Sequence, residues 1–297
     1  MNEKRYVVVI DGGGTKSQLD IYNESMEVEC SIKGLFANFS VDASTSRTHL
    51  EQLLDQANQN IPSVMWKRVV LGVSGIQTYP SIDSLKQQLT ETYSTSVSII
   101  TDLELAKYAY LHEDGLLVIA GTGSVAIGKR LGQTLSVGGW GHILGDEGSA
   151  YSLSIRYLKQ LIQRYDAGLK LTQTDTDIIQ FLGISDVQSL KQVVYSGSKD
   201  RVAAISKKLS EHLIHEEVKN IFIDEARSFA NQVNHLVRRL GFDRQVPVKF
   251  MGSLLESSVL FKDSFVEALM QEGYSVIENI SSTQVTVGGY YLDKELM

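Results

Sequence analysis

The stretch Val7-Val8-Val9-Ile10-Asp11-Gly12-Gly13-Gly14-Thr15-Lys16-Ser17 decides how the chain is read. An apolar run of strand character meets an acid, three glycines and then Thr-Lys-Ser. The residues that follow, Gln18-Leu19-Asp20-Ile21-Tyr22, alternate polar and apolar, which predicts a second strand and not a helix. A Rossmann fingerprint needs a helix after its glycines, and a P-loop needs the GxxxxGK[ST] spacing; neither is present. A glycine turn between antiparallel strands still suits phosphate. Without Cβ atoms at Gly13 and Gly14, backbone N–H groups can close around an anion, and Thr15 and Ser17 add hydroxyl donors. Taken alone, the loop reads equally well as an ordinary tight hairpin.

Outward from this turn, strands are predicted at residues 6–10, 18–22 and 27–32. A helix at 44–59 carries Leu50, Leu53, Leu54 and Ala57 at helical spacing. Strand 68–73, helix 81–92, strand 97–100 and helix 103–111 follow, an order that suggests a mixed sheet with helices on its faces. Between them, Gly34-Leu35-Phe36-Ala37-Asn38-Phe39-Ser40 reads as a surface turn or a ligand-facing loop. The pattern then restarts. Gly115-Leu116-Leu117-Val118-Ile119-Ala120-Gly121-Thr122-Gly123-Ser124 is again an apolar strand and a glycine turn with hydroxyls, about 110 residues further on, and a strand at 125–130 follows. The repeat predicts an α/β chain of two duplicated domains around a central cleft, each supplying one phosphate loop. The expected division is 1–110 and 111–297, with a hinge near 103–111 and a final helix able to return to the first domain.

From Gly145 the pattern is mainly helical, with helices expected at 147–165, 174–182, 199–214 and 216–240, the last stopped by Gly241. Strand 246–251, the turn Gly252-Ser253, helix 261–271, strand 275–277 and helix 283–292 complete the chain. Composition sets further bounds. The 297 residues suffice for two cores, and 43% hydrophobic with 21% charged residues reads as an ordinary globular protein. A net charge of −7 without a Lys/Arg cluster argues against nucleic acid as a partner. No apolar run is long enough to span a bilayer, so no membrane partner is expected. The start of the chain lacks a signal-peptide pattern, and the single Cys30 cannot form an internal disulfide; both predict a cytoplasmic protein. Cys30 reads as a buried, inert strand residue.

The densest candidate for chemistry is Gly138-Gly139-Trp140-Gly141-His142-Ile143-Leu144-Gly145-Asp146-Glu147-Gly148-Ser149-Ala150-Tyr151. Five glycines in eleven residues, around one of two tryptophans, are entropically costly unless the backbone must approach something closely. Trp140 offers an apolar platform for a sugar face, and Asp146 and Glu147 can accept hydrogen bonds from hydroxyls. Asp146 also reads as an N-cap with Glu147 favouring the helix dipole. Asp102 ends a predicted strand, where α/β proteins place functional groups, although Thr101-x-x-Glu104 is a capping box that makes Asp102 ordinary first-turn decoration. As a general base, a carboxylate facing a hydroxyl is what phosphoryl transfer to an alcohol needs. Asp11 beside the first loop suits Mg2+, directly or through water. The six histidines form no metal constellation, and His212 and His215 read as a solvated helix face. Met251-Gly252-Ser253 is a third strand–glycine–helix junction, weak evidence alone for a nucleotide contact.

Taken together, Asp11-Gly-Gly-Gly-Thr15, Thr101-Asp102, Ala120-Gly-Thr-Gly-Ser124, Gly139-Trp-Gly-His142, Gly145-Asp-Glu-Gly-Ser-Ala-Tyr151 and Met251-Gly-Ser253 resemble, in order and over essentially the full length, the N-acetylglucosamine kinase family of the BadF/BadG/BcrA/BcrD ATPase group. That group lies within the actin-like, sugar-kinase and heat-shock ATPase superfamily. The Gly-Trp-Gly-His and Gly-Asp-Glu-Gly-Ser-Ala-Tyr block is specific to the family; the glycine loops mark only the superfamily. The resemblance implies two ribonuclease-H-like domains acting on Mg2+-ATP and an amino sugar, as a homodimer. It implies that Gly13, Gly14, Thr15, Lys16 and Thr122 serve the ATP phosphates, and that Ala203, Ser253 and Ser257 line the nucleotide. Asn38, Asp102, Ser124, Val125, Gly139, Trp140, Gly141 and Asp146 would surround the sugar, with Asp102 taking the proton of its 6-hydroxyl. The family pattern commonly has Asn where this chain has Val125, which removes an amide from the sugar side and opens N-acetylmuramic acid and glucosamine as alternative substrates. The family's dehydratase-activator branch holds an iron–sulfur cluster through cysteines, against which the single Cys30 speaks. The rival of another class is an ATP-dependent switch or sensor without sugar kinase activity.

Overall fold

The computed structural model describes residues 5–279 and 284–296. The described chain divides into two compact units, one of residues 5–112 with 284–296 and one of residues 113–279.

In the first unit, β1 (Tyr6–Gly12), β2 (Ser17–Tyr22) and β3 (Val28–Gly34) form an antiparallel meander. Helix α1 (Ala43–Asn60) leads to β4 (Trp66–Val73), α2 (Ile82–Tyr93) to β5 (Ser96–Ile100), and α3 (Asp102–Tyr110) follows. The sheet order is β3-β2-β1-β4-β5, with β1, β4 and β5 parallel. The apolar run that opens the sequence is buried on both faces, as a strand covered by helices requires. Val8 and Ile10 join a core with Leu50, Leu53 and Leu54 of α1, whereas Val7 and Val9 join Leu105 and Ala109 of α3 on the other face. Helix α1 starts where Asp42 accepts the Thr45 N–H at 2.9 Å.

In the second unit, β6 (Gly115–Ala120), β7 (Ser124–Arg130) and β8 (Gln133–Gly138) repeat the meander. Helices α4 (Ala150–Asp166), α5 (Gln173–Leu182), α6 (Leu190–Ser196), α7 (Lys199–Leu209) and α8 (Glu216–Leu240) precede β9 (Gln245–Met251). The short α9 (Ser253–Ser257), α10 (Val259–Gln271) and β10 (Ser275–Glu278) follow. The order β10-β9-β6-β7-β8 is the same topology as in the first unit, again with three parallel strands and a two-stranded antiparallel extension. Helix α11 (Val287–Glu295) then packs in the first unit. The predicted helix 283–292 starts on a residue outside those described.

Several details depart from expectation. Strand β8 and helix α6 were not foreseen. Helix α4 begins at Ala150, with Ser149 as its cap, so Asp146 is not the N-cap; it lies in the left-handed region at φ +66°. Helix α7 stops at Leu209, and His212 sits in a 3-10 turn against Thr174 and Asp177, not on a solvated helix face. Cys30 is only half-buried, because β3 is an edge strand. Helix α8 ends at Gly241 in the left-handed conformation (φ +68°), as its sequence predicts. Among the described residues no helix is long and apolar enough to cross a membrane.

The closing helix is docked closely. A Cβ added at Gly288 would lie 2.1 Å from the Leu105 carbonyl oxygen and 2.9 Å from the Ala109 nitrogen. On the facing side, Thr286 Oγ1 donates to the buried Asp20 and lies 2.8 Å from the Tyr22 hydroxyl. Gly288→Ala is therefore expected to destabilise the protein by about 2–3 kcal/mol, read as a lowered midpoint in thermal unfolding. An unchanged midpoint would mean that α11 is not held against α3.

Candidate active site

In the first unit the parallel strands deliver their C-terminal ends to one edge of the sheet, where open α/β sheets bind ligands. Asp11 lies near the end of β1, Ser74 just beyond β4 and Asp102 just beyond β5. The backbone stitches these ends together. Ser74 N–H donates to the Gly12 carbonyl at 2.9 Å, and Ala37 N–H to the Gly13 carbonyl at 2.9 Å. Phe39 N–H donates to the Ser74 carbonyl at 2.9 Å, so the 34–40 loop is fixed against both strand ends. Asn38 is thereby brought beside the first glycine loop, its Nδ2 being 3.7 Å from the Cβ position of Gly14.

Asp102 is held from two sides. Ser74 Oγ donates to Oδ2, and the Leu103 N–H donates to Oδ1 at 2.9 Å. The capping box is also present, but Thr101 and Glu104 make it, which leaves the Asp102 carboxylate for other work. Asp11 carries the electrostatic cost of this arrangement. Burial first, and then the negative charges of Asp102 and Asp20, push its carboxyl up from 3.8 to about 6, against the opposing pull of Lys16. Thr15 and Lys16 are exposed on the loop. Ser17 is not a free donor: it is buried and its hydroxyl donates to the Leu35 carbonyl at 2.7 Å.

In the second unit the loop after β6 approaches the end of β9. Gly252 has φ +93°, and a Cβ there would lie 2.5 Å from the Ala120 oxygen and 2.9 Å from the Gly121 nitrogen. A cavity of about 400 Å³ opens beside it, lined among others by Thr122, Ala203, Phe222, Ser253, Leu254 and Ser257. The structure thus brings together Thr122, Ala203, Ser253 and Ser257. Thr122 Oγ1 donates to Asp200 at 3.1 Å. Ser124 is buried and spends its proton on the Glu147 carbonyl at 2.7 Å, and Val125 pairs with Gly138 across β7 and β8.

The glycine-rich segment 138–149 is anchored at its C-terminal end. Buried Glu225 of α8 accepts the Gly148 N–H at 2.8 Å and Arg156 Nε at 2.7 Å. Gln232 reaches Glu147 at 2.7 Å, and the Ala150 N–H donates to the Gly121 carbonyl at 2.8 Å. Asp146 is buried and paired with Lys199, Nζ to Oδ2 at 2.7 Å. Earlier in the segment, Gly139 N–H donates to the Ser124 carbonyl at 2.9 Å, while Trp140 stands 75% exposed. His142 stacks edge-on against Tyr151.

The BadF/BadG/BcrA/BcrD ATPase family model matches residues 8–289. The chain belongs to this family. It is similar to the N-acetylmuramic acid/N-acetylglucosamine kinase of Clostridium acetobutylicum, 24% identical over 274 residues that cover 88% of this chain and 89% of that one. It is also similar to the N-acetyl-D-glucosamine kinase of Dictyostelium discoideum, 25% identical over 305 residues and covering 94% of each. Among solved structures, a candidate N-acetylglucosamine kinase of Chromobacterium violaceum shares the fold with a TM-score of 0.73 at 18% identity, covering 97% of this chain and 98% of that one. The two-unit α/β architecture is thus that of this ATPase family.

Ser74, Lys199 and Asp200 are the site residues that the sequence reading missed. Ser74-Gly75 follows an apolar strand much as Gly252-Ser253 does, and that pattern is the local signal for Ser74. Lys199 and Asp200 carry no local signature.

The raised Asp11 carboxyl makes a stability prediction with a definite sign. The folded state holds this proton more tightly than the unfolded chain, so the contribution favours folding below about pH 4 and is lost as pH rises through about 6. In ligand-free, chelator-treated protein, Asp11→Asn is expected to be more stable than the parent above pH 6, by on the order of 1–3 kcal/mol. The gap should close as pH falls towards 4 in thermal unfolding; a gap that widens towards low pH would refute the assignment.

Proposed function

We propose that the protein is an ATP-dependent kinase that phosphorylates the 6-hydroxyl of N-acetylglucosamine or a close amino sugar. The observation that carries this reading is the Asp102 carboxylate, fixed by Ser74 and the Leu103 N–H and linked through Ser74 to the first glycine loop. A carboxylate held in one orientation next to a phosphate-type loop is suited to accept a proton from an attacking alcohol. Family membership and the kinase names of the relatives support the same conclusion.

The second unit's cavity suits a nucleoside: Phe222 and Leu254 give it apolar walls, and Thr122, Ser253 and Ser257 give it hydroxyls. Gly13, Gly14, Thr15 and Lys16 would serve the phosphates from the first unit. In the first unit Asn38 and Asp102 are the residues proposed for the sugar; in the second they are Ser124, Val125 and the 139–146 segment, with Val125 replacing an amide by an apolar contact. Asp11 would hold Mg2+, whose charge offsets that of the transferring phosphoryl group. Among the described residues no group of three or more His, Cys, Asp or Glu is arranged for a metal. An ion at Asp11 would therefore keep waters and phosphate oxygens as its other ligands. Asp102 would take the hydroxyl proton as the new O–P bond forms and the bond from phosphorus to the ADP oxygen breaks. The remaining contribution is positioning and charge stabilisation. A cytoplasmic homodimer completes the proposal.

The test is ADP release with Mg2+-ATP across N-acetylglucosamine, N-acetylmuramic acid, glucosamine, N-acetylmannosamine and glucose. Turnover on one or two amino sugars is expected; ATP binding with no sugar-dependent ADP release would instead favour a nucleotide switch. Asp102→Asn should reduce turnover by about 10²–10⁴-fold while calorimetry shows ATP still bound, and near-normal turnover would sink the role given to Asp102. Ser74→Ala should lower kcat by about tenfold through a less well-oriented carboxylate, with the ATP KM unchanged.

A further inference from the structure

Lys199 and Asp200 are neighbours in the first turn of α7, yet their side chains reach two different loops. Lys199 Nζ donates to Asp146 Oδ2 at 2.7 Å, and Asp200 accepts the Thr122 hydroxyl at 3.1 Å. One and two turns further on, Ala203 and Lys207 line the cavity. A single helix therefore touches the buried acid, the second glycine loop and the nucleotide-type pocket.

The acid most in need of this support is Asp146. Its side chain is 3% exposed, whereas that of Lys199 is 31% exposed. Its backbone is in the left-handed region, and the residue that follows it is tied to α8 through Gln232. A buried carboxylate without a partner is strongly unfavourable, so the ammonium of Lys199 compensates a charge that little water solvates. Gly123 shows how close the pair comes to the phosphate-type loop. A Cβ there would lie 3.1 Å from Asp146 Oδ2 and 3.2 Å from Lys199 Nζ. No side chain at 123 intervenes between the pair and the loop backbone.

We propose that Lys199 is a positioning residue for the sugar site: it fixes the Asp146 carboxylate against Gly123 in the orientation that accepts hydrogen bonds from substrate hydroxyls. This rests on the reading of Asp146 as a sugar acceptor within the proposed kinase. Lys199 acts through Asp146 and touches no substrate itself. Loss of its charge leaves Asp146 free to turn away, which weakens sugar binding more than the chemical step. Asn at 146 removes the charge that Lys199 serves, so the two substitutions should not add.

Lys199→Met is expected to raise the sugar KM about 10- to 100-fold while kcat falls less than about threefold and the ATP KM stays within about twofold. Lys199→Arg, which keeps the charge, should recover part of the loss, and it carries the test if the Met variant does not fold. In the cycle with Asp146→Asn, the double variant should be no worse than Asp146→Asn by more than about twofold. Two results would overturn the proposal. One is a Lys199→Met enzyme with parental kinetics; the other is a loss that multiplies fully with that of Asp146→Asn, since Lys199 would then act elsewhere. ADP binding by calorimetry separates these results from simple loss of structure. A parent protein that turns over no sugar defeats the kinase reading and this inference together, whereas an active parent with an indifferent Lys199→Met variant defeats this inference alone.

Discussion

Backbone has to meet backbone where the parallel strands end, and the candidate chemistry depends on that constraint. Gly252 passes so close to Ala120 and Gly121 that a single methyl carbon would collide with the main chain. At such a junction there is no space for side chains to mediate, and the short hydroxyl residues Thr122 and Ser253 line the cavity beside it. Such a junction suits the phosphate role proposed for it, because the charge of an anion is best met by many weak dipoles at once. The same topology in each unit brings strand ends together, which is why Asp11, Ser74 and Asp102 gather in one unit and Thr122 and Ser253 in the other.

The two units treat the acids of their candidate sites differently. In the second, each acid behind the glycine-rich segment has a cation: Asp146 has Lys199 and Glu225 has Arg156. In the first, Asp11 sits in a desolvated place near two other acids, which the exposed Lys16 offsets in part, and its carboxyl rises accordingly. An arrangement that stores unfavourable charge at a strand end is costly for stability alone. It is suited to a site that receives a cation, because the incoming charge relieves the repulsion that folding leaves in place.

The features legible in the sequence were those written in local chemistry. The apolar runs before Asp11 and Gly121, the alternation of β2 and the stop of α8 at Gly241 all depend on neighbours within a few residues. What escaped depended on distant contacts. Ser17 looked like a free hydroxyl, but Leu35, eighteen residues on, takes its proton. Asp146 looked like a cap, but the chain turns left-handed there and Ser149 caps instead. The partnership of Ser74 with Asp102 spans 28 residues and that of Lys199 with Asp146 spans 53, and neither leaves a mark on the intervening sequence. Strand β8 is not legible in the sequence because its alternation is short and lies between turns; its pairing with β7 shows it as a strand.

The glycine-rich segment divides into parts with different mechanical support, which bears on selectivity. Residues 146–150 are tied by Lys199, Glu225, Gln232 and the Gly121 carbonyl to two helices, α7 and α8, and a loop. Trp140, Ile143 and Leu144, by contrast, point their side chains largely into solvent from a turn held by its own backbone bonds. Groups that must hold a fixed geometry for group transfer belong on the first kind of support. Groups that merely cover different substituents of a sugar ring tolerate the second. Val125 belongs to the boundary between them, since it pairs with Gly138 and lies against Gly139, where the anchored sheet gives way to the exposed turn. At the proposed sugar site, an apolar side chain at that point in place of an amide would change which ring substituents are met without disturbing the anchored acids. On that reading substrate choice would be separable from the phosphoryl-transfer scaffold, which is consistent with the different amino sugars named for the relatives.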